Sequence, residues 1–113
     1  MIFTNYMRNF LTHEAAHTER ARLYLAALKG DWKSIQGMLK IQREITKARE
    51  TTLHVAAATN KEEFVKNLVS NAMSIEDLKV ENIAGITALS YAAATGNVNI
   101  AKAILEKIET CQT

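Results

Sequence analysis

The chain has 113 residues, 48% of them apolar and 23% charged, which is room for one folded domain of ordinary soluble composition and excludes disorder throughout. Zero prolines and four glycines starve tight turns and favour helix. A formal net charge of +2 gives no electrostatic footprint for nucleic acid, and no apolar run approaches the roughly 18 residues of a membrane span. One cysteine, Cys111, permits no internal disulfide and suits a reducing, intracellular and cytoplasmic setting.

Residues 1–19 read as an N-terminal extension, partly helical. The stretch 1–11 is interrupted by Asn5, Arg8 and Asn9 and does not read as a signal peptide. Within the extension, His13-Glu14-Ala15-Ala16-His17 spells H-E-x-x-H, whose histidines would share a helix face and bind zinc while the glutamate activates water. A zinc hydrolase is therefore a minor alternative. The longer form of the motif would need glycine at Arg20 and histidine at Leu23, and Glu44 has nothing to fix it as a third ligand. The expectation is a solvated helical segment, with no metal, no cofactor and no catalysis.

From residue 20 onward the chain repeats itself. Thr51-Thr52-Leu53-His54-Val55-Ala56-Ala57 aligns with Thr87-Ala88-Leu89-Ser90-Tyr91-Ala92-Ala93 at an offset of 36, and an earlier copy, Leu23 to Gly30, aligns at 30. Each copy is followed by a second apolar stripe: Ile35, Met38, Leu39; then Phe64, Val65, Leu68, Val69; then Ile100, Ala101, Ile104, Leu105. Each unit is read as a helix pair, with boundaries at 20–48, 49–84 and 85–113. Thr51 and Thr87 are N-caps, Leu53 and Leu89 start a buried stripe that Ala56, Ala57, Ala92 and Ala93 continue, and Gly96 or Asn60 supplies the left-handed residue that ends the first helix. Trp32 is expected to pack over a repeat edge. Ser74 is expected to cap a further helical turn, and 82–85 to form the turn before the third unit.

These units resemble ankyrin repeats, whose first helix opens T-P-L-H-x-A. The second unit has Thr51, Leu53, His54 and Ala56 in place, the third Thr87, Leu89 and Ala92, while Ala21 and Tyr24 make the first degenerate. The motif's proline is replaced by Arg22, Thr52 and Ala88, a modest loss of stability. The resemblance implies an all-α solenoid of about three helix pairs and a non-catalytic protein-binding module. It implies that His54 bridges its capping threonine and the neighbouring loop. It also implies a partner surface of Lys29, Thr59 and Thr95 on helices, with Arg43, Lys47, Arg49, Glu81 and Asn82 at the connection tips.

Leu23 to Trp32, Ile45-Thr46-Lys47, Ser74 to Leu78 and Gly96-Asn97-Val98 are similar to plant ankyrin proteins that carry a C-terminal PGG membrane domain, which these 113 residues lack. That likeness implies an adaptor or scaffold in stress or defence signalling, membrane-associated only as part of a longer chain. Arg49 stands where those proteins have glycine, so an irregular turn is expected there. Because Ile100, Ile104 and Leu105 belong to the last repeat, with no polar cap after it, weak self-association is the alternative expectation, as of a fragment of a larger protein.

Overall fold

The computed structural model describes residues 19–38 and 40–112. Residues 1–18 of the N-terminal extension, with the His13–His17 motif, and Leu39 and Thr113 lie outside the described residues. Six helical segments follow in order: α1 (residues 19–29), α2 (Thr52–Ala58), α3 (Glu62–Ala72), α4 (Ile75–Leu78), α5 (Ala88–Thr95) and α6 (Val98–Gln112), with a 3-10 turn at Trp32–Ser34. Among the described residues there is no strand, although an antiparallel bridge joins Glu44 and Thr51.

Local chemistry sets these boundaries. Thr51 Oγ1 accepts from the His54 amide, Ser74 and Asp77 cap each other's backbone, and Thr87 Oγ1 accepts from the Ser90 amide. Gly30, Asn60 and Gly96 end α1, α2 and α5 with φ of 73°, 61° and 74°. In all three the next amide reaches back to an aligned alanine carbonyl: Asp31 to Ala26 at 2.9 Å, Lys61 to Ala56 at 3.1 Å, Asn97 to Ala92 at 3.0 Å. One cap is written three times.

The helices stack α1, α2, α5 in one layer and the 3-10 turn, α3, α6 in the other. Burial follows the predicted stripes: Leu23, Ala26, Ala27, Leu53, Ala56, Ala57, Phe64, Val65, Leu68, Val69, Ala92, Ile100 and Ile104 form one core. The alanines matter because small side chains let α1, α2 and α5 approach closely. Trp32 packs edge-on against Phe64, centroids 5.9 Å apart, as its repeat-edge position implies.

Four expectations need correction. The first unit is not a full helix pair: its second element is the three-residue 3-10 turn, because Gly37 (φ 86°) and Lys40 (φ 56°) break the backbone; Ile35 is still fully buried and Met38 half-buried. The turn at Arg49 is regular, since Arg49 takes φ 62° and its amide donates to Thr46 O at 3.0 Å, matching Gly85 to Asn82 O at 2.9 Å. Asn82 is buried rather than exposed at a tip. The buried stripes are broken in the third unit: Ile100 and Ile104 are buried as expected, but Leu89 is only half-buried and Ala93 and Leu105 are exposed. The missing prolines have local substitutes: Thr52 Oγ1 donates to Ile41 O at 2.6 Å, and Arg22 Nη2 donates to Ser34 O at 3.0 Å.

Candidate functional site

Two connections project from the stack and are tied to it by side chains. In the first, Thr46 Oγ1 accepts from the Glu50 amide at 3.1 Å; in the second, Asn82 Oδ1 accepts from the amides of Ile86 at 3.0 Å and Ala84 at 2.9 Å. Positions 46 and 82 are aligned, so threonine is the shorter version of the same brace. The tips touch: the Ile83 amide donates to Ala48 O at 2.8 Å.

His54 locks the second unit to the third. A carbonyl can only accept, so the 2.8 Å contact to Ile86 O places the proton on Nε2; Nδ1 then accepts from the Thr51 amide at 3.2 Å and from its hydroxyl at 2.9 Å. The imidazole is fully buried and lies edge-on to Tyr91, centroids 5.7 Å apart. Tyr91 in turn donates a short hydrogen bond to Glu50 and accepts from Asn82 Nδ2 at 2.9 Å. The bond to the Glu50 carboxylate, then desolvation, raise the phenol's pKa above its ordinary value, with the Asn82 amide partly opposing them. Glu50, His54, Asn82 and Tyr91 form a polar clasp between units with its donors and acceptors matched, which is a structural chemistry rather than a catalytic one.

The expected partner residues divide. Lys29, Lys47, Arg49, Glu81 and Thr95 are exposed. Arg43 is half-buried and pairs with Glu19 at 2.7 Å, and Thr59 turns its hydroxyl to Val55 O at 2.8 Å. Asn82 is absorbed by the clasp. Arg49 also pairs with Glu44 at 3.1 Å, an exposed contact of small energetic weight.

What the sequence did not single out is a groove of about 710 Å³ between α1 and the first tip, lined by Arg20, Ala21, Tyr24, Glu44, Ile45, Thr46 and Lys47. Tyr24 is 38% exposed there. Its aligned residue is His54, whose small ring is swallowed by the next loop; the longer phenol at position 24 is not. That size difference was the available signal. Among the described residues no cluster of His, Cys, Asp or Glu could hold a metal, and no helix is long and apolar enough to cross a membrane.

Comparison with curated proteins gives no significant match. A family model for ankyrin repeats in three copies matches residues 23–113, which takes in all three units. Left-handed ends on α1, α2 and α5, threonine caps on α2 and α5 and buried alanines recur through that span, and the chain belongs to the ankyrin-repeat family, a family of protein-interaction modules that are generally non-catalytic.

Proposed function

We propose that the chain is an adaptor that holds a protein segment in the groove between α1 and the first tip. The observation that carries this reading is the groove's make-up: a half-exposed tyrosine and Ile45 provide an apolar floor, while Arg20 and Lys47 provide two cations beside a single carboxylate, Glu44. An extended peptide bearing an aromatic or aliphatic anchor and neighbouring acidic residues fits that chemistry. Lys29, Arg49, Glu81 and Thr95 extend the same surface, and a second, acidic tip with Glu81 would select against acidic residues beyond the groove. A setting in stress or defence signalling rests on the likeness to the plant proteins, and a cytoplasmic one on the lone cysteine.

The test is affinity capture from native extract with the chain as bait, comparing Lys47→Glu and Tyr24→Ala with Lys66→Glu on the exposed face of α3. Loss of the captured protein in the first two, with retention in the third and unchanged circular dichroism in all, supports the groove. Equal capture by all three variants removes it as the binding site.

A further inference from the structure

The middle unit shows what a covered repeat looks like, and comparison with the third unit at the offset of 36 shows what is left uncovered. Leu53, Ala57 and Val65 are 0% exposed and Val69 is 4% exposed. Their counterparts Leu89 and Ala101 are only half-buried, Ala93 is exposed, and Leu105 is 42% exposed. These are the positions on which the third unit sits when it stacks on the second. Val98, 66% exposed, and Ile108 extend the same apolar row along α6.

The opposite end of the stack differs in kind. Thr52 and Val55 are covered by the preceding unit; the aligned residues of the first unit are Arg22 and Leu25, both exposed, with the exposed Lys29 one turn on. Stacking that end onto the third unit would set Arg22 and Lys29, both exposed, against the apolar row of Leu89, Ala93, Ala101 and Leu105 and desolvate two cations there, at a cost that apolar contact does not recover. Head-to-tail stacking of copies is therefore disfavoured. The face that matches an apolar row without burying charge is the same face of another molecule, and a self-complementary face generates a two-fold axis.

The register of that contact follows from helix geometry. With Leu105 at the centre of α6, Val98, Ala101 and Ile108 fall within roughly 60° of it at 100° per residue, while Lys102 and Glu109 lie together on one flank. In an antiparallel pair related by a two-fold axis through Leu105, residues before the centre face residues after it, and each flank stays on its own side. Lys102 lies three residues before the centre and Glu109 four after, so each lysine meets the other copy's glutamate. Both are exposed and neither is in an ion pair among the described residues.

We propose that this chain forms a two-fold symmetric dimer in which α5 and α6 pack on the same helices of a second copy, centred on Leu105, with Lys102 and Glu109 paired reciprocally. The inference is independent of the groove. Sedimentation equilibrium from about 5 to about 500 μM, a range that spans moderate to weak association, with reductant present to keep Cys111 as a thiol, reads it directly. The chain is expected to pass from monomer to dimer and no further. Leu105→Glu abolishes the dimer with unchanged circular dichroism. Lys102→Glu raises the dissociation constant about tenfold or more, since each reversal acts at both symmetric pairs, and Lys102→Glu with Glu109→Lys restores it. A monomer throughout, growth beyond dimer, or failure of the double reversal to restore association each overturns the proposal.

Discussion

At position 54 one imidazole does what in isolated helices takes three groups: it closes the capping box with Thr51, accepts from its hydroxyl and fastens the next loop through Ile86. The third unit has Ser90 there, which reaches Thr87 Oγ1 at 3.1 Å and goes no further. Side-chain length thus decides whether a cap also links units. Tyr91 supplies a second link, and its ionisation gives that link a pH signature. Because its pKa is raised in the fold, the neutral phenol is favoured there, and its contribution is fully present below the usual tyrosine value near 10 and is lost as pH rises through the higher folded value. Tyr91→Phe keeps the ring against His54 and removes the titrating bond. The expected result is that wild type exceeds Tyr91→Phe in urea midpoint from pH 7 to about pH 9 and that the gap closes above about pH 10. A gap constant with pH would mean that the Glu50 bond contributes nothing.

Among the elements, the first helices were the most legible, because all three carry an apolar stripe with small residues and a left-handed terminator and two of them, α2 and α5, also open on a capping threonine. The stripes of α3 and α6 were legible for the same reason. The second element of the first unit was not: Ile35 and Met38 have helical spacing, but periodicity carries no information on whether Gly37 and Lys40 will both take positive φ. Asn82 was misplaced because a polar residue in a turn segment reads the same whether its amide faces water or braces the loop. Leu105 continues a buried stripe in sequence, and it is exposed because nothing among the described residues packs on that face. Arg49 is the case that energetics can decide. An L-residue at φ 62° costs about 1 kcal/mol or more, glycine relieves that strain, and the exposed Glu44 pair offsets little. Chemical denaturation should rank Arg49→Gly above wild type and wild type at or above Arg49→Ala, with roughly 1 kcal/mol between the two variants. Equal stability of the glycine and alanine forms would show that the turn carries no strain.

For the whole molecule, the units stack in line and their apolar side chains join into one continuous core, so stability is approximately a sum of unit terms and nearest-neighbour interface terms. The units are unequal. The middle one is covered on both sides, and its first helix is buried from Thr52 through Ala57. The first pairs α1 with a three-residue turn, and its free side carries Arg22 and Lys29. Local opening should therefore begin at α1 and the 3-10 turn, spread last to α2 and α3, and leave α5 and α6 between these limits. Native-state hydrogen exchange reads this order as opening free energies. Matching values in α1 and α2 would instead indicate a single cooperative unit. The two ends should also respond differently to concentration. When a second copy covers the apolar side of the third unit, mass action raises the protection of α5 and α6 with protein concentration and leaves α1 unchanged, because its charged side has no such partner. A rise at both ends would point to unlike ends meeting, and a rise at neither to a monomer whose exposed Leu105 and Val98 remain in water.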